Sequence, residues 1–145
     1  MPLPDRDRVA ELVLGSRAQL VPLILRLATG AIFLGFGVGK FSHHAKETAS
    51  FEKYGLPFPG DFVYAIGMTE LFFGALLVVG LGTRLAALAL AGDMVGAIAT
   101  AGRVEGGTIN LGLAPALLVG MLVLLWTGPG MASLDSRLLA RLHRR

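Results

Sequence analysis

Residues 62–81 read FVYAIGMTELFFGALLVVGL, a run with one charged side chain, Glu70, near its middle. A helix rises about 1.5 Å per residue, so a run of this length covers the roughly 30 Å of hydrocarbon in a bilayer. Three further runs behave alike: residues 20–41, interrupted by Arg26; residues 85–101, interrupted by Asp93; and residues 111–127, which carry no charge. Turn-rich polar stretches separate them. The expected architecture is therefore all-α, a polytopic membrane protein with a four-transmembrane-helix bundle and a single membrane domain over residues 1–145.

Composition points the same way. The chain has 145 residues, of which 54% are hydrophobic and only 16% charged, with a mean hydropathy of +0.67. Soluble domains average roughly 25% charged residues, and one of this size has too little interior to hide so much apolar surface. There are no cysteines, which excludes disulfide exchange, thiolate nucleophiles and iron–sulfur ligation within the chain. Any redox role must then borrow a cofactor or partner. No hydrolase triad, phosphate loop or dinucleotide fingerprint is present, and no metal site is expected. The sequence pI of about 9.8 does not imply nucleic acid, because the basic residues flank the spans instead of clustering on a globular face.

That flanking charge sets an expected orientation. With the N-terminus cytoplasmic, the inner segments hold Arg6, Arg8, Arg17, Arg84, Arg137, Arg141, Arg144 and Arg145, against Lys46, Lys53 and Arg103 outside. Both termini are thus expected on the cytoplasmic side of a cell membrane. The acidic and basic residues before position 20 do not resemble a cleavable leader, so the first span is expected to be retained. Pro22 and Pro115 are expected in the first turns of their helices, where a missing N–H costs little. The segment 82–83 is too short to do anything but join antiparallel neighbours. Residues 133–145 place Leu134, Leu138 and Leu142 at four-residue spacing among arginines, the pattern of a basic amphipathic tail on an anionic leaflet.

The long first outer loop, residues 42–61, carries Phe51, Tyr54, Leu56 and Phe58. So many apolar rings suit either anchoring in the headgroup layer or a fold back over the bundle mouth, with Lys40, Tyr54 and Pro57 as mouth or lid residues. His43 and His44 are adjacent and point about 100° apart on a helix, which does not suit joint chelation of one ion.

Arg26, Glu70 and Asp93 are the candidate site, because an ionisable group inside a span costs several kcal/mol unless it finds a partner. Counted from the inner surface, helical rise puts them at depths of about 9, 15 and 12 Å respectively. One shared layer, with Arg26 paired to one of the acids, is the expectation. Small residues surround each position: Gly67 and Gly74 on the face of Glu70, Ala89, Gly96 and Ala97 on that of Asp93, and Gly30 with Phe33 on that of Arg26. One cation facing two acids leaves a surplus negative charge, which a medium of low dielectric resists by holding a proton or admitting water or a cation.

The order Arg26, Gly30, Phe33, Gly37, Gly39-Lys40-Phe41, then Tyr54-Gly-Leu-Pro57, then Glu70 with Gly74, then LVVGLGTR ending at Arg84 resembles the DoxX family of small four-helix membrane proteins, over roughly residues 20–100. The family often has a histidine near the end of its third helix; residues 100–113 offer Glu105 and Asn110 instead. The resemblance implies a link to redox metabolism: relatives include a small membrane subunit of a thiosulfate:quinone oxidoreductase and a mycobacterial member associated with a superoxide dismutase and a sulfurtransferase in oxidative-stress defence. On that basis the chain is expected to anchor or couple a redox complex as a membrane subunit, without catalysis of its own, holding a quinone, a proton or a small ligand at the central polar site. Its partners are then the lipid bilayer, a soluble or membrane redox protein and, in one arrangement, further copies in a homo-oligomer. Two rival readings are a small proton-coupled transporter or channel, in which Glu70 and Asp93 relay a proton, and a purely structural scaffold whose ion pair fixes helix register.

Overall fold

The computed structural model describes residues 6–142, and every regular element among them is helical. In chain order these are α1 (Arg6–Ser42), α2 (His44–Lys53), α3 (Pro59–Val79), α4 (Thr83–Ala99), the short α5 (Ala101–Val104), a π-helical turn (Ile109–Leu113), α6 (Ala114–Thr127) and α7 (Leu134–Leu142). Four stretches are long and apolar enough to cross a membrane: Ala18–Ser42, Pro59–Val79, Thr83–Val104 and Ile109–Thr127. His143, Arg144 and Arg145 lie outside the described residues, as do the side chains of Arg6, Arg8 and Arg17.

The burial pattern is that of a bundle in lipid. Ile24, Met68, Phe72, Leu88 and Val119 are all more than half exposed, whereas Arg26 and Glu70 are each 1% exposed. Water would reject such an arrangement; hydrocarbon accepts it, and these outer faces make the lipid contact.

The bundle consists of two close helix pairs. Along α1 and α3 the approach is set by glycine: a Cβ on Gly30 would fall 3.0 Å from the Gly74 carbonyl oxygen, and one on Gly37 would fall 3.0 Å from that of Gly67. Such spacing lets backbones meet where lipid gives no hydrophobic force between helices. Gly35 and Gly39, which have the familiar GxxxG spacing, point into open space and take no part. The second pair, α4 with α6, packs through Leu90, Met121 and Leu124, all fully buried. Gly120 of α6 meets Leu25 and Thr29 of α1 and joins the two pairs along one side.

Three boundaries differ from expectation. Pro22 lies well inside α1, not in its first turn; buried, it packs against Gly130 of the returning C-terminal segment. The outer loop contains a ten-residue helix, α2. The fourth span begins with a π turn that runs up to Pro115 at the start of α6; the Ala114 amide donates to the Ile109 carbonyl, a wider turn than an α-helix makes.

The end of the bundle carrying the α3–α4 turn, here the tail end, is closed by the C-terminal segment. Gly80 ends α3 in the left-handed region at φ +77°, and a Cβ there would collide with the Arg26 guanidinium. Asp135, at the start of α7, accepts from the Gly82 amide at 2.7 Å and the Thr83 amide at 3.0 Å, while its own amide donates to Gly80 O at 3.0 Å. A carboxylate from more than fifty residues away thus caps α4, where both the free amides and the helix dipole favour negative charge.

Candidate functional site

Lys40, in the last turn of α1, meets Glu70 of α3. Its Nζ lies 3.0 Å from Oε1 and 2.9 Å from Oε2, with the two side chains 14% and 2% exposed. Side-chain direction explains the match. Helical side chains lean toward their own N-terminus, so Lys40 leans from the rim into the membrane while Glu70, on the antiparallel α3, leans up toward it. Lys40 Cβ sits beside Gly67, one turn before Glu70. Asp93 of α4 is ten residues from the tail-end turn, as is Glu70 on the other side of it, so both acids stand about 15 Å deep. Their carboxyls are close enough to interact, and both feel the Lys40 charge.

The expected pairing of Arg26 with an acid is not what forms. Arg26 leans the other way, toward the tail end, where Nη1 donates to Pro129 O at 2.8 Å and Nη2 to Ala132 O at 3.3 Å. Its guanidinium abuts Gly80, ten residues and therefore about 15 Å along α3 from Glu70. Among the described residues the acidic charge that reaches it is that of Asp135. Arg26 is thus the anchor of the C-terminal segment, and Lys40, read from sequence as a rim residue, takes the place beside Glu70 and Asp93.

These three groups open into a cavity of about 680 Å³ between the two helix pairs, within the range of small-molecule sites. Phe36, Ile66 and Met94 give it apolar walls, and Asn110, on the π turn, lines its far side. Asp93 Oδ2 is buried without a hydrogen-bond partner among the described residues. At the loop end α2 lies over the cavity, with Phe51, Tyr54 and Leu56 facing it. This helix is fixed by His44, whose Nε2 is 3.2 Å from Gly60 O and whose ring stacks on Tyr64 at 4.1 Å. His44 therefore has a structural task, and His43 is exposed. Of the expected mouth residues, Lys40 and Tyr54 line the cavity; Pro57 is exposed and does not. No cluster of three or more potential metal-ligating side chains exists among the described residues.

Burial, then the hydrogen-bonding and charge of Glu105, push the Tyr54 phenol from 10.0 up to about 12. The fold keeps this proton longer than the unfolded chain does, so the associated stability is complete below pH 10 and disappears as pH climbs through about 12. An alkaline titration followed by tyrosinate absorbance should show a late step that Tyr54→Phe removes and Glu105→Gln brings to lower pH.

Fold and site together define a four-span membrane bundle with a charged cavity between its helices. The family model described as DoxX matches residues 21–103. The chain belongs to the DoxX family. It is 37% identical to a Mycobacterium tuberculosis (strain ATCC 25618 / H37Rv) protein named "Uncharacterized membrane protein Rv3486", the match covering 82% of each chain. It is 35% identical to the Bacillus subtilis (strain 168) protein named "Putative oxidoreductase CatD", over 57% of this chain and 60% of that one. No solved structure matches it significantly.

Proposed function

We propose that this chain is a membrane subunit that couples a redox partner protein to the bilayer and holds the head of a quinone-type carrier in the cavity between its helices. One observation carries the reading: the Lys40–Glu70 pair and Asp93 face an apolar-walled space of about 680 Å³. The residues fit such a group. Lys40 is a donor for a carbonyl oxygen, the carboxyls are acceptors for a hydroxyl, and Phe36, Ile66 and Met94 suit a ring. A bound quinone would supply two-electron, two-proton chemistry. The chain itself would orient the head, exclude water and hold a proton at Glu70 or Asp93. The oxidoreductase name of the Bacillus relative supports the redox context.

The proton-coupled transporter reading has less support. Between the cavity and the tail end stand the buried side chains of Phe33, Leu77, Leu90 and Met121, backed by the Arg26 anchor. That apolar layer stands between the acids and the tail end among the described residues. For topology, Arg84, Arg137 and Arg141 at the tail end favour a cytoplasmic placement of both termini in a cell membrane. There α7, with Leu134, Leu138 and Leu142 exposed, would lie on the inner leaflet.

Gentle detergent extraction followed by mass spectrometry tests the proposal. Wild-type protein should retain a quinone and a redox protein, and Glu70→Gln should lose the quinone while keeping the protein partner. Extraction of wild type with neither would overturn it.

A further inference from the structure

We infer that the cavity is filled from the hydrocarbon, through a window between α3 and α4, so that it selects a lipid-soluble molecule with a hydrogen-bonding head; this rests on the ligand-binding reading above. The two helices are joined by the short turn between Val79 and Thr83, and both border the cavity. Ile66 and Thr69 of α3 line one wall of the cavity, while Gly92 and Gly96 of α4 line the other.

Those two glycines differ from the ones on α1 and α3. At Gly30, Gly37 and Gly74 an added Cβ would press on the neighbouring helix, so glycine is required for packing. At Gly92 and Gly96 it would meet nothing within 4 Å; both residues are exposed, line the cavity and share a helix face with the exposed Leu88 and Val95. Glycine inside a helix costs stability relative to alanine, and here no helix contact offsets that cost. What the missing side chains leave is a gap in the bundle wall. Asp93 lies between them on the same helix, its Oδ2 buried and without a partner among the described residues, and Glu70, 1% exposed, lines the same space.

Depth decides which solvent faces the gap. Gly92 and Gly96 lie nine and thirteen residues beyond Thr83, about 14 and 20 Å along α4 from the tail-end turn, within the roughly 30 Å of hydrocarbon. The outer surface beside it, Met68 and Phe72 on α3 and Leu88 and Val95 on α4, is apolar and exposed. At the loop end the cavity is bordered by the charged and polar side chains of Lys46, Glu47, Ser50 and Glu105, beside Phe51 and Tyr54. An apolar molecule dissolved in lipid therefore meets the gap directly, without crossing the charged loop end.

The test uses the full chain in phosphatidylcholine vesicles, with a photoactivatable azidoquinone bearing a decyl tail as probe. Wild type should be labelled on cavity-lining peptides of α3 and α4. The double variant Gly92→Leu/Gly96→Leu, whose side chains have room outside the packed core, should label at least tenfold more slowly at an unchanged unfolding temperature. Single Gly96→Leu, the milder variant should the double fail to fold, should fall in between. Glu70→Gln should reduce labelling at any exposure time, because it alters the site and not the path. Labelling of the leucine variants at the wild-type rate, with Glu70→Gln still impaired, would overturn the window and leave the site standing. Absence of cavity labelling in wild type would overturn both.

Discussion

Lys40→Met alone should destabilise the bundle by about 3 to 5 kcal/mol, the usual cost of leaving one member of a buried ion pair without the other. Glu70 is 1% exposed, and Lys40 is its sole cationic partner within 4 Å among the described residues. Asp93 on the opposite wall makes the loss worse, since two neighbouring acids then share no cation. Lys40→Met/Glu70→Met should recover most of the stability, because well-packed apolar side chains replace a buried pair at little net cost. Thermal and denaturant unfolding in mild detergent measures both. If the single and double variants are equally unstable, the pairing energy is not where the geometry puts it. The double variant should also lose quinone retention, which separates the pair's role in binding from its role in folding.

Arg26→Ala should cost on the order of 2 to 5 kcal/mol, through two stranded carbonyls and the space left by a buried side chain. The carbonyls are those of Pro129 and Ala132, so the damage should concentrate at the tail end. Amide exchange over residues 128–142 and the start of α4 should accelerate, since release of the segment also withdraws the Asp135 cap from Gly82 and Thr83. Asp135→Ala should reproduce the α4 part of this change at about 1 kcal/mol. Glu70→Gln should not rescue Arg26→Ala. A rescue would mean that Arg26 and Glu70 share a pair after all.

The four spans were legible because hydrocarbon thickness imposes run length on any sequence that crosses it. The inward face of Glu70 was legible too: Val63, Gly67, Gly74 and Leu77 recur around it at helical spacing, and all are buried. What depth counting missed was direction. Arg26 and Glu70 lie on antiparallel helices, so their side chains lean to opposite ends of the bundle, whereas Lys40 and Glu70 lean toward each other. A lysine in the last turn of a span passes for a rim residue when only its Cα depth is considered. The partners of Arg26 were beyond reach for another reason. They are backbone carbonyls more than a hundred residues away, in a stretch with no side-chain signal. The gap between α3 and α4 was likewise invisible, because Gly92 and Gly96 look in sequence like the packing glycines of α1 and α3.

The chain contains no cysteine, which makes engineered pairs unambiguous. In native membranes, Lys40→Cys/Glu70→Cys treated with a short bismaleimide should yield joined α1 and α3 peptides by mass spectrometry, and Arg26→Cys/Glu70→Cys should not. Joining of the Arg26 pair in preference to the Lys40 pair would place the intramembrane site elsewhere and remove the basis for the cavity's function.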